Sequence, residues 1–250
     1  MSSLQPRLSN WLQALRTIAI TFAAFIGGQI AGASMLTFVC YLFGTNQQTI
    51  AWAFESHAVV RFLLILSIEA FTIYFIYLLL KHQKKTFAYI GLKMRPVKRD
   101  GWWVIKGYAI YFVIFITAFT IMGLTGLIDT NQAQQLGYTN PTGFGLMWAF
   151  LSLVVLPPIA EEIVFRGYLF TSLKKYVNVY TAGALVSMLF AIAHLEIGTG
   201  VPLNYAAALD TLILSGVLLY VTQKTKSLWP AIGIHALKNL AAFMTLFVLK

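Results

Sequence analysis

Apolar runs of about 20 residues recur along this 250-residue chain, broken only by short polar stretches. A helix needs about 20 such residues to cross the ~30 Å hydrocarbon layer of a bilayer, at about 1.5 Å per residue. Seven runs fit, at about 17–43, 62–80, 104–126, 143–163, 181–197, 205–223 and 229–249. The pattern predicts an all-α fold, a polytopic transmembrane helical bundle of about seven spans. The count becomes six to eight if one run is a half-span or an extra short helix is present. Composition agrees, because the chain is 59% hydrophobic and 10% charged, against about a quarter charged for soluble domains. One bundle without a separate soluble domain is expected.

The net charge of +10 would suit a nucleic-acid partner, but its placement argues against one. Lys81, Lys84, Lys85, Lys93, Arg95, Lys98, Arg99 and Lys106 crowd one inter-span segment, and Lys174, Lys175, Lys224 and Lys226 sit in two others. The loops at 45–61 and 127–142 contain only Arg61 among basic residues. Basic loops stay on the cytoplasmic side of a membrane, so the N-terminus is expected inside, with membrane lipids rather than nucleic acid as the surroundings. Trp102, Trp103 and Trp229 fit interfacial anchors. Ala31-Gly32-Ala33 mimics a signal-peptidase site, yet the apolar run continues past it, and no cleavage is expected there. The single cysteine, Cys40, excludes an intrachain disulfide.

Polar groups within such runs are costly and default to function. Glu161 and Glu162 close the fourth run, and Arg166 follows four residues after Glu162. Residues four apart share a helix face, so Glu162 and Arg166 can pair. Glu161 is turned by about 100° from Glu162 and is the freer carboxylate. Folding spans four and five into a hairpin about residues 177–178 brings Glu161 and His194 to one depth, about 24 Å from the tip. The last span enters from the same side after Trp229-Pro230, carrying His235 and Asn239 four residues apart. Pro157-Pro158 should kink span four just before the glutamates. A carboxylate in apolar surroundings suits a general base. An imidazole beside it can polarise water, and a second histidine with an asparagine can stabilise an oxyanion. No serine or cysteine pairs convincingly with these groups, so hydrolysis by activated water is the stronger reading.

Three stretches carry a family resemblance. Glu161-Glu162-Ile163-Val164-Phe165-Arg166 resembles an E-E-x-x-x-R motif, Phe190 to His194 resembles F-x-x-x-H, and His235 to Asn239 resembles H-x-x-x-N. In this order they resemble the CPBP group of CAAX proteases and bacteriocin-processing enzymes, also called the abortive-infection or lysostaphin-resistance-like family. The resemblance covers roughly 145–245, so 143–250 is read as the catalytic transmembrane core and 1–142 as a more variable set of N-terminal transmembrane helices.

The resemblance implies an intramembrane endopeptidase of a bacterial-type plasma membrane, with its site in the cytoplasmic half. Glu161 would activate water with His194 beside it, and His235 and Asn239 would stabilise the oxyanion. Glu162, Arg166 and Phe190 would support the site. No cofactor is expected. If a metal such as zinc is bound, Glu161, His194 and His235 would be its ligands, with an open fourth position. The substrate would be a peptide or membrane-protein segment, prenylated if the enzyme is a true CAAX protease, or a bacteriocin precursor in a bacterial relative.

Each polar group also has a plainer reading. Glu162–Arg166 can be a structural pair, and Glu161 an interfacial charge. His194, and His235 with Asn239, can be polar glue between helices. Phe190 reads as packing. Asp210 can border the site or pair with Lys238, and Glu69 has no assigned role. The rival functions are a non-catalytic membrane immunity or scaffold protein of the same fold, and a proton-coupled transporter. The transporter predicts related halves, which are not found.

Overall fold

The computed structural model describes residues 4–129, 132, 137, 138, 141–195 and 202–249. Among them all regular structure is helical. We number eight helices: α1 (Leu4–Leu42), α2 (Gln47–Ser56), α3 (Ala58–His82), α4 (Lys98–Thr125), α5 (Phe144–Leu173), α6 (Val179–Ala193), α7 (Tyr205–Thr225) and α8 (Trp229–Val248). Six of these are long and apolar enough to cross a membrane, namely α1, α3, α4, α5, α7 and α8.

The fifth expected span, 181–197, is a shorter helix. Val179–Ala193 has 15 residues, about 22 Å at 1.5 Å per residue, against a ~30 Å hydrocarbon layer. Asn178 fixes its start by accepting hydrogen bonds from the backbone N–H groups of Tyr180 and Thr181. His194 ends it as the C-cap, and residues 196–197 of the expected span lie outside the described residues. The expected loop at 45–61 contains α2, started by the side chain of Asn46, which accepts from Thr49 N–H.

Glycines set the closest helix approaches. Gly28 and Gly32, four residues apart on α1, lie against α3. A Cβ at Gly28 would stand 2.5 Å from Thr72 Cα, and one at Gly32 2.5 Å from Ile68 Cα. The Ser67 hydroxyl donates to Gly32 O across this contact at 2.9 Å. Small residues at such spacing let helix backbones meet in lipid, where packing and hydrogen bonds replace the hydrophobic drive.

The main core joins α1, α3, α5, α6 and the start of α8, with Phe165, Phe170, Phe190, Leu169 and Leu173 fully enclosed. A second core packs α4 against α7 and α8, around Tyr111, Leu218 and Ile234. The start of α8 is pinned to the polar segment before α4, because Leu228 N–H donates to Gly91 O and Trp229 Nε1 donates to Lys93 O at 2.9 Å.

The 30-residue helix α5 carries the glutamates and extends past the expected end of span four at 163 to Leu173. It absorbs Pro157-Pro158 through a π-helical stretch, Leu151–Val155, ending just before them. A second π-helical stretch, Ile163–Leu169, follows Glu162 directly. Such stretches are rare in α-helices and collect at functional sites.

Candidate active site

Pro157 has no N–H to give the carbonyl four residues back, which is that of Leu153. Asn239 supplies the missing donor, its Nδ2 lying 2.9 Å from Leu153 O. The proline in α5 thereby dictates where the amide of α8 sits. Asn239 was expected as an oxyanion donor, and here one of its two amide hydrogens is committed to this backbone carbonyl.

Glu162 and Arg166 pair as their spacing predicts, with Nη1 2.9 Å from Oε1 and both side chains fully enclosed. The same Oε1 lies 2.9 Å from His235 Nδ1. A carboxylate accepts and does not donate, so Nδ1 of His235 carries the proton in this contact. The ring's other nitrogen, Nε2, then faces Glu161, 3.9 Å from Oε2. This is too long for a hydrogen bond but close for a charge contact. Among the described residues, Oε2 of Glu161 has no hydrogen-bond partner.

Phe190 sits at the junction of the three motifs. The Arg166 guanidinium lies 4.2 Å from its ring centroid, the His194 ring 4.6 Å and the His235 ring 6.0 Å. Among the described residues the Arg166 Nε and Nη2 groups have no hydrogen-bond partner, so the ring face is their main compensation. The Phe190 carbonyl meets His194 Nδ1 at 2.8 Å. A carbonyl accepts, which puts the His194 proton on Nδ1 and leaves Nε2 as the acceptor.

Glu161, His194, His235 and Asn239 line one cavity of about 150 Å³, with Lys238, Thr211 and apolar residues such as Leu153 and Phe243 completing its wall. The hairpin geometry expected for α5 and α6 is realised, with the turn between Leu173 and Val179. Glu162 is spent on Arg166 and His235, whereas Glu161 is 19% exposed in the cavity wall. Glu69 of α3 is within electrostatic reach of Glu161, so three carboxylates approach this region.

Asp210 pairs with Lys238, one of the two readings open to it, in an ion pair of 2.9 Å with each side chain 15% exposed. Tyr111 was not singled out in the sequence, and its hydroxyl donates to Asp210 Oδ1 at 2.6 Å. One more tyrosine in an apolar run gives no signal. Lys238 and Ala242 also border a second cavity of about 380 Å³ between α4 and α8, lined by Tyr108, Phe112 and Leu246.

Zinc was the alternative read for Glu161, His194 and His235. The Nδ1 contacts of His235 with Glu162 and of His194 with Phe190 O leave Nε2 as the nitrogen each ring could offer a ligand. Among the described residues, no group of three or more His, Cys, Asp or Glu side chains is placed to hold a metal ion.

Residues 143–241 match the family described as type II CAAX prenyl endopeptidase, Rce1-like. This segment of the chain is similar to that family. The Rce1-like segment begins at α5 and ends two residues after Asn239, so it contains all three motifs and the whole cavity-lining set of Glu161, His194, His235 and Asn239. The match agrees with the CPBP resemblance of the motifs, and with the six long apolar helices it supports a multi-pass membrane protein whose segment 143–241 is similar to a peptidase family. No curated protein and no solved structure matches the chain.

Proposed function

We propose that the protein is an intramembrane endopeptidase in which Glu161 activates the attacking water. The observation that carries this is the division of labour between adjacent carboxylates. Glu162 is enclosed with Arg166 and His235, while Glu161 borders a cavity large enough for water beside a scissile bond. Water in the cavity gives a proton to Glu161, and its oxygen attacks the peptide carbonyl carbon. His194 Nε2 accepts from the second hydrogen of that water and fixes its direction.

The oxyanion that forms needs donors already in position. His235, held by Glu162 through Nδ1, turns its Nε2 edge to the site and serves there as a donor in its doubly protonated form. Asn239 offers the amide hydrogen that Leu153 does not use. Glu161 then returns its proton to the leaving amine, so the amine and the new carboxylic acid separate without a covalent enzyme intermediate.

The substrate class follows the family's description, a prenylated C-terminal CAAX-type peptide, or in a bacterial setting a membrane-borne peptide or bacteriocin precursor. The active site lies in the half of the membrane nearer the basic loops. Glu161 is 12 residues before Leu173 and His235 is six residues after Trp229, about 18 Å and 9 Å along their helices. Both helix ends adjoin the lysine-rich segments, which the positive-inside rule assigns to the cytoplasm.

Reconstituted protein should be incubated with a farnesylated CAAX peptide and with its unprenylated counterpart, and the products weighed by mass spectrometry. A new C-terminus appearing in the prenylated peptide alone is the expected result. Equal cleavage of both overturns the prenyl preference, and cleavage of no membrane-borne peptide by folded protein overturns the enzyme reading.

A further inference from the structure

A groove of about 550 Å³ runs along the seam of α6 and α7, away from the cavity that holds Glu161. Gly183 of α6 and Gly216 of α7 open it. A Cβ at Gly216 would meet nothing within 4 Å, and one at Gly183 only Leu219 Cδ1 at 3.9 Å. Its walls are otherwise apolar, and Tyr180 and Tyr220 flank it, 85% and 49% exposed. Ser187 lines its inner part at 8% exposure. From Val179 to Ser187 the groove follows nine residues of α6, eight rises or about 12 Å, close to the ~15 Å of one hydrocarbon leaflet.

Only one end of the groove is charged. Lys224 forms its rim, and Gln223 beside it accepts a hydrogen bond of 3.0 Å from Lys174 Nζ. Lys226 stands close enough to Lys174 for the two charges to repel. No Asp or Glu pairs with these three lysines among the described residues. Lys226 also holds a left-handed backbone, φ 55°, where glycine is the usual residue. A lysine kept at a strained C-cap, beside two more cations, makes a charge cluster with no acidic partner among the described residues.

We propose that this groove binds one anionic phospholipid, an acyl chain lying between Gly183 and Gly216 and the headgroup phosphate resting on Lys174, Lys224 and Lys226. The chain gains little by leaving the surrounding lipid, which is equally apolar, so the headgroup charge sets the preference. Each lysine near a membrane surface favours an anionic lipid by roughly fivefold. This site is separate from the proposed catalysis and stands or falls without it.

Native mass spectrometry of the full-length protein released from mixed phosphatidylglycerol and phosphatidylcholine vesicles tests the proposal. The wild type should retain one phosphatidylglycerol in preference to phosphatidylcholine. At Gly216 a Cβ meets nothing within 4 Å, so Gly216→Leu extends into the groove and favours the helix, and it should cut the retained lipid by about tenfold or more with the thermal midpoint held. Lys224→Gln with Lys226→Gln should lower the preference for phosphatidylglycerol by roughly 25-fold, leaving acyl occupancy possible. Three results would overturn the proposal. They are unchanged retention in Gly216→Leu, equal retention of both lipids by the wild type, and displacement of the lipid by millimolar inorganic phosphate alone. A second copy of the chain bound in place of lipid would make the groove a helix–helix interface and would also overturn it.

Discussion

Removing Arg166 should harm this protein more than removing Arg166 and the charge of Glu162 together. Both side chains are fully enclosed and share a 2.9 Å contact. Arg166→Met leaves the carboxylate buried with only His235 as a donor. Breaking a buried pair from one side costs about 3–5 kcal/mol, because the remaining charge is uncompensated. Loss of the contact with Phe190, at 4.2 Å, adds about 1 kcal/mol. Adding Glu162→Gln removes the stranded charge while keeping an acceptor for His235 Nδ1. Replacing both members of a buried pair is often near neutral, so the double variant should recover at least about 2 kcal/mol relative to Arg166→Met. Reversible unfolding in mixed micelles, run on the two single variants and the double, gives the coupling directly. Additivity within about 0.5 kcal/mol would refute the view that these groups act as one buried charge unit.

Other outcomes follow from the same contacts. Asn239→Ala orphans the Leu153 carbonyl and should cost about 1–3 kcal/mol. Pro157→Ala restores a backbone donor to that carbonyl and should return much of the loss on unfolding. Gly32→Leu puts a side chain where Ile68 backbone stands 2.5 Å from a Cβ. It should separate α1 from α3, seen as loss of a cysteine cross-link engineered between them. Tyr111→Phe removes a 2.6 Å hydrogen bond to Asp210 and should lower stability by about 1.5–3 kcal/mol, as for bonds to charged groups. An equal stability for that variant would mean Asp210 is held by Lys238 alone.

The all-helical membrane bundle was legible because about 20 apolar residues in a row have few other fates. The grouping of Glu161, His194, His235 and Asn239 was legible for a related reason. Helical spacing and equal distance from a turn fix depth, and all four line one cavity. Run five was the one whose length stayed open, because hydropathy measures apolarity and not where a cap falls, and Asn178 and His194 bound a helix of 15 residues.

The roles within the site were harder to read. Spacing gave the Glu162–Arg166 pair but could not reveal that His235 shares the same carboxylate oxygen, a contact across 73 residues. The commitment of Asn239 to Leu153 was hidden in Pro157, whose missing N–H foretells an orphan carbonyl without naming its partner. The π-helical stretch Ile163–Leu169 has no composition signal. The Gly28–Gly32 spacing was visible in the first run, yet only the α3 backbone against it gives it meaning.

The central claim is that Glu161, and not its neighbour, activates water. It is tested most directly by measuring cleavage rate and unfolding midpoint on the same reconstituted Glu161→Gln sample. The account predicts a rate lower by about 10²–10⁴-fold, the usual worth of a general base, with the midpoint little changed, because among the described residues Glu161 Oε2 has no hydrogen-bond partner to lose and only the 3.9 Å charge contact with His235 goes. A folded Glu161→Gln protein that cleaves at the wild-type rate would contradict it.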